Sequence, residues 1–141
     1  MHLADFQREF VKRAQKIGLA YDIWPAATDE QIRETERRLD VVFHEQIRSF
    51  YSFCNGFIAR EPHFEVLGLD ELEFIKPHLI HFCTVDHYHH LCFDTWAFND
   101  AGQWFVVNSE TGFRVTYTMA SIWSNKVWAW IDRGQLVWES L

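Results

Sequence analysis

A pair of adjacent helices, spelled out by residues 28–57, constrains this chain more than any other feature. Thr28 followed three residues later by Gln31 is a capping box: the threonine hydroxyl accepts from a free N–H of the first turn, and the Gln side chain reaches back. Asp29 and Glu30 add negative charge at the positive end of the helix. Behind them Ile32, Thr35 and Leu39 form a thin apolar stripe, and Glu30/Arg33 and Glu34/Arg38 are spaced for surface ion pairs. After a short apolar connector, Ile47, Phe50, Tyr51 and Cys54 recur at three- and four-residue steps, which places them on one buried helical face. Asn55-Gly56 is expected to supply the left-handed residues of that helix's end. Glu36 lies on the apolar stripe between Ile32 and Leu39. A half-buried carboxylate there must be paired, so a bond to an Arg or to backbone N–H groups is expected.

The flanks complete an α+β pattern. Leu3, Phe6, Phe10, Ala14 and Ile17 mark an N-terminal helix docked by one face and closed by Gly18. Residues 21–27 read as a loop anchored by Trp24-Pro25. Beyond Gly56, residues 64–69 and 79–82 read as short strands separated by an acidic turn over residues 70–73. Residues 88–98 lead through an Asn99-Asp100-Ala101-Gly102 turn into residues 103–108, and Ser109-Glu110-Thr111-Gly112 turns the chain again into residues 113–119. Phe113, Val115, Tyr117 and Met119 alternate with Arg114, Thr116 and Thr118, giving that strand one buried and one wet face. Trp104, Phe105, Val106 and Val107 are apolar without a break, so that strand is expected in the core, with dimerisation through it left open. Trp123, Val127, Trp130 and Ile131 predict a last helix, and residues 136–138 a terminal strand. The expected architecture is one domain over residues 1–141, with helices over 1–57 packed on a mainly antiparallel twisted sheet over 58–120, and a C-terminal helix and strand over 121–141.

The order Trp24-Pro25, Thr28, Glu30, Ile32, Glu36, Leu39, then Phe50 and Asn55-Gly56 resembles the opening signature of the SUKH superfamily (SMI1/KNR4-like domain). With the aromatic, hairpin-rich second half, the resemblance runs from about Trp24 to the C-terminus. The family usually has Leu-Pro at the start of the second helix, where this chain has Phe43-His44. The superfamily includes fungal cell-wall regulators and many bacterial immunity proteins of polymorphic toxin systems. The resemblance therefore implies a binding protein that neutralises a cognate toxin by direct contact. It also leaves open an intracellular regulatory or scaffold protein.

Charge is distributed in a way that bears on partners. The net charge is −7, yet acids and bases balance over residues 1–60. Residues 61–113 carry Glu61, Glu65, Asp70, Glu71, Glu73, Asp86, Asp94, Asp100 and Glu110 against Lys76 alone. Such a field repels nucleic acid and draws in basic partners. Glu65, Asp70, Glu71, Asp86, Asp94, Asp100 and Glu110 are thus the expected contact residues for a basic protein or toxin, with Trp96 or Trp104 as anchor. No segment has the ~20 apolar residues of a membrane span, and the mixed charge of the first helix argues against a membrane-surface role, so a cytoplasmic monomer or homodimer is expected.

Chemistry that would make the chain an enzyme is not visible. Cys54, Cys83 and Cys92 form no close pair and suit small core positions, and no nucleophile elbow, phosphate loop or metalloprotease pattern occurs. No cofactor is implied. His78, His81, His87, His89 and His90, with Cys83, Cys92 and Asp86, cluster as zinc ligands do, but strand alternation converges at most pairs such as His87/His89 or His90/Cys92. A metal- or small-molecule-binding domain on this cluster is the remaining alternative. On the pairwise reading, titration of the purified protein with zinc shows no site tighter than about micromolar; a tighter stoichiometric site makes the cluster a metal centre.

Overall fold

The computed structural model describes residues 3–60, 63–116 and Met119. Helix α1 (Leu3–Ile17) forms where its apolar spacing predicts, with Phe10 and Ala14 fully buried. The chain then enters strand β1 (Tyr21–Ile23), where a loop is expected. Three residues carry too little periodicity to announce a strand. Backbone pairing with β2 (Phe57–Arg60) makes it one, Tyr21 lying opposite Ala59 and Ile23 opposite Phe57. An Asp22–Arg60 ion pair closes the end of this pairing.

Between those two strands lie helices α2 (Asp29–Leu39) and α3 (Glu45–Phe53). The capping box is present in full, with Gln31 N–H donating to Thr28 Oγ1 at 3.1 Å and Thr28 N–H to Gln31 Oε1 at 2.9 Å. Ile32, Thr35 and Leu39 are buried as their spacing requires. Glu36 accepts from the Phe43 N–H at 2.8 Å and pairs with Arg48, so one carboxylate ties α2, the connector and α3 together. His44 stands where the family usually has proline and caps α3, its Nδ1 accepting from Gln46 N–H at 3.2 Å.

Two expectations about this stretch are corrected. The surface pairs are Glu30–Arg37 at 3.5 Å and Glu34–Arg37 at 2.6 Å, not those with Arg33 and Arg38. Arg38 instead donates to the carbonyls of Leu69 and Leu72, both at 2.8 Å, and braces a 3-10 turn (Leu69–Glu71) against α2. Second, α3 ends on an extended Cys54 (φ −155°), so Asn55-Gly56 is not its left-handed cap. The Asn55 carboxamide Oδ1 accepts from Leu69 N–H at 2.8 Å, and Gly56 lies at φ +94° with an added Cβ only 2.6 Å from the Val66 carbonyl.

The sheet has eight strands, completed by β3 (His63–Val66), β4 (Glu73–Lys76), β5 (Leu79–Val85), β6 (His89–Phe98), β7 (Trp104–Asn108) and β8 (Arg114–Thr116). Its order is β1-β2-β3-β5-β6-β7-β8, every neighbour antiparallel. β4 pairs with β5 beyond the point where β3 leaves it, so β3 and β4 share one edge of β5. A bulge between His81 and Cys83 lets both Phe82 and Cys83 face the core. The main core joins the helices to Phe57, Phe64, Phe82, Phe93, Val106 and Val115, and Phe82 stacks on Phe93 at 3.9 Å. Cys54, Cys83 and Cys92 are free and buried, as small core residues. Thr116 is buried, although alternation places it on the wet face. The helix and strand expected over residues 121–141 lie outside the described residues.

Gly56 is the tightest backbone approach of the fold. Gly56→Ala combines a forbidden φ with a backbone collision and is expected to destabilise by about 3 kcal/mol, read as a lower denaturant midpoint at unchanged slope. Gly112→Ala, where a Cβ meets nothing within 4 Å, is the control for φ alone and is expected to cost less.

Candidate functional site

The register of the sheet decides which side chains meet on the face turned away from the helices. Glu65 lies opposite Thr84, and Thr84 opposite His90. His81 lies opposite Cys92, Cys92 opposite Val107, and Val107 opposite Arg114. Leu79, Cys92 and Val107 form a small apolar cluster separate from the main core. Around it runs a polar string. His81 Nε2–H donates to the Cys83 carbonyl at 3.1 Å and meets Thr84 Oγ1 at 2.9 Å, and its ring packs edge-on against His90. His90 Nδ1 lies 2.6 Å from Glu110 Oε1, and Ser109 Oγ donates to the other Glu110 oxygen at 2.9 Å.

Those contacts set the titration of the groups. Burial pushes the His81 imidazole down, helped by the neighbouring His90. His63, stacked on His87 at 3.9 Å and accepting the His87 N–H at its Nδ1, is held down by burial first and then by His87. Partial burial pushes the Glu110 carboxyl up, but the hydrogen bonds from His90 and Ser109 outweigh it and the group titrates below the ordinary range. Glu65 moves the other way, raised by burial and then by Glu71.

At one border of this face a cleft of about 370 Å³ opens between the end of β4, the middle of β6 and the β7–β8 turn. Leu79 and Val107 line it together with Lys76, His78, Asp94 and residues 108–112. Asp94 accepts the Trp96 N–H at 3.0 Å, and Trp96, 70 % exposed, stacks on His78 at 4.4 Å. A larger shallow groove of about 730 Å³ runs along α2, lined by Arg33, Glu36, Arg37, Asp40 and Arg48. Glu36 pairs with Arg48 there and Arg37 pairs with Glu30 and Glu34, which leaves one charge of each sign, Arg33 and Asp40, without an ion pair among the described residues.

The expected contact residues are distributed unevenly. Asp94 and Glu110 line the same cleft, with Trp96 beside it. Asp70 and Glu71 sit on the 3-10 turn, Asp86 in the β5–β6 turn and Asp100 in the β6–β7 turn. Those last two are separated by the ten residues of β6, about 30 Å of extended chain. Trp104 does not stand free as an anchor: its ring packs on Phe43 at 6.2 Å and Phe93 at 5.9 Å. Lys76, His78 and Ser109 join the cleft through strand register alone, which sequence spacing does not reveal. Among the described residues no group of three His, Cys, Asp or Glu side chains converges to hold a metal ion.

The residues that carry the resemblance meet in space. Trp24 N–H donates to the Gly56 carbonyl at 3.1 Å, and Asn55 N–H to the Pro25 carbonyl at 2.9 Å. The family model for SMI1/KNR4 (SUKH-1) matches residues 26–133. The chain belongs to this family. A comparison with curated proteins finds no match. The SUKH-1 match takes in the helical pair, strands β2 to β8 and the cleft, and begins after β1. No helix among the described residues is long and apolar enough to cross a membrane.

The histidine network gives this sheet a pH dependence of definite sign. His63 and His81 have folded-state pKa values below the ordinary 6.5, so the unfolded chain binds protons first. Their contribution is complete above that value and is lost as pH falls through it. Glu110 adds stability above 4.5 that is lost below it. The melting temperature is therefore expected to fall between about pH 7 and about pH 5.5, and His63→Gln with His81→Gln to flatten that slope; an unchanged slope in the double variant removes these two groups as its source.

Proposed function

We propose that this SUKH-1 chain is a non-enzymatic cytoplasmic immunity protein that neutralises a cognate toxin of a polymorphic system by direct protein–protein binding. The partner surface that suits it is basic, as in the active-site cleft of a nuclease. One observation carries the reading. Glu65, Asp70, Glu71, Glu73, Asp86, Asp94 and Asp100 make no ion pair among the described residues, and Lys76 is the single base of residues 61–113; in the helical part Asp22, Glu30, Glu34 and Glu36 are paired, and the unpaired Asp29, Asp40 and Glu45 lie in a stretch where bases balance acids. Charge that the fold leaves uncompensated steers encounter with an oppositely charged partner. The family supports the same class of function. The thiols support the non-enzymatic part: burial pushes Cys54 up to about 11 and Cys92 up to about 12, far from a nucleophilic thiolate at neutral pH.

Genome position supplies the partner, since an immunity gene lies directly downstream of a large toxin gene ending in a variable domain. Co-expression with the toxin domain encoded beside it is expected to relieve killing and to yield a complex stable at moderate salt. Unrelieved killing, or no complex, sinks the proposal. Reversal of Asp70, Glu71 and Asp100 to Lys is expected to slow association about tenfold and to flatten its salt dependence. Unchanged rates would discard the electrostatic part alone.

A further inference from the structure

The cleft between β6 and the β7–β8 turn holds a combination that the acidic surface in general lacks. Its apolar lining comes from Leu79 and Val107, both nearly buried, with Cys92 completing their cluster. Two carboxylates line it, Asp94 and Glu110. They differ in availability. Glu110 is held by the His90 ring, the His90 N–H and the Ser109 hydroxyl, so its position is fixed from within. Asp94 uses one oxygen for the Trp96 N–H and pairs with no cation among the described residues. Lys76, the third charged group of the cleft, approaches the Ser109 carbonyl at 3.5 Å, the long end of a hydrogen bond, and its side chain belongs to an exposed residue. The protein's own ammonium thus reaches a carbonyl of the cleft without closing it, and the local balance remains one negative charge.

We infer that this cleft receives an arginine side chain of the protein partner, its guanidinium between Asp94, Glu110 and the Ser109 carbonyl, and its methylene stem on Leu79 and Val107. The existence of a partner rests on the immunity reading above; the chemistry of the cleft does not. A planar guanidinium has donors pointing in several directions and a weakly hydrated, stackable face, which matches acceptors spread around an apolar floor better than a compact ammonium does. Trp96 at the rim offers an indole, one face of which lies on His78, for contact with the arriving cation. An anion meets two carboxylates, and a neutral ligand leaves Asp94 desolvated without a counter-charge. The volume of about 370 Å³ suits one long side chain with ordered water and sits at the small end of ligand sites. Lys76 acts as the internal competitor that leaves when the arginine enters.

The test uses the full chain, labelled with ¹⁵N, and three blocked tripeptides: glycine-arginine-glycine, its lysine analogue and its citrulline analogue. The arginine peptide is expected to shift the amides of Asp94, Trp96 and residues 108–112 saturably in the millimolar range, the lysine peptide more weakly and the citrulline peptide not at all. Asp94→Asn keeps an acceptor for the Trp96 N–H and is expected to weaken the arginine peptide about tenfold. Lys76→Met removes the competitor and is expected to tighten it several-fold. Equal shifts with citrulline, no saturable shift with arginine, or unchanged affinity in Asp94→Asn overturns the inference. The two proposals fail separately. Relief of killing by Asp94→Asn at wild-type level, with no arginine binding, removes the cleft and leaves the immunity reading. Arginine binding by a chain that never relieves killing does the reverse.

Discussion

The structure depends on a backbone crossing at Gly56. The helical pair reaches the sheet there, and three separate pieces of chain converge on two residues. Trp24 and Pro25 bond to Gly56 and Asn55 from one side, the Leu69 N–H reaches the Asn55 side chain from another, and the Val66 carbonyl packs where any side chain of residue 56 would sit. Each of these bonds is worth on the order of 1 kcal/mol, but the geometry they fix is worth more than their sum suggests. Without that crossing, β2 could not pair with β1 on one side and β3 on the other while α3 lies over Phe57. Residues that look scattered along the sequence meet in one junction.

Local chemistry made the helical part readable. A capping box, an apolar stripe and a trapped carboxylate each act within a few residues, so Thr28, Ile32 and Glu36 announce their roles in sequence and keep them in the fold. What the sequence hides is whatever depends on partners far along the chain. β1 exists because β2 lies beside it. Arg38 leaves its neighbour Glu34 for the carbonyls of Leu69 and Leu72, more than thirty positions away at the two ends of a 3-10 turn. The β5–β6 connection is equally opaque, because Asp86 and His87 both adopt positive φ without the Gly or Asn that usually marks such a turn.

The same division holds for the site. Uneven charge along the chain pointed to the acidic half, and composition suffices for that. Composition cannot say that Trp104 turns inward onto Phe43 while Trp96 turns outward onto His78. Nor can it say that Asp94 and Glu110 line one cleft while Asp86 and Asp100 lie at opposite ends of a strand. Those outcomes follow from register, which shifts near Phe82, between Asp94 and Phe98 and between Val106 and Val107.

The pairing of β1 with β2 around two intervening helices bears on how the chain assembles. Bringing Tyr21 to Ala59 as a flexible loop would carry the closure entropy of nearly forty free residues, although that cost grows only slowly with length. α2 and α3 shorten the effective loop, since most of the span is already rigid once they form, and the Ala27 N–H to Tyr51 carbonyl bond draws its ends together. Both strands and both helices of this closure precede residue 61, and Val66 and Leu69 lock its junction soon after, whereas most of the acidic strands come later. On a ribosome, where synthesis runs from the N-terminus at about 5–20 residues per second, the charge-balanced first 60 residues can therefore begin to assemble before most of the strongly negative part emerges, and the meander then grows onto an edge already forming.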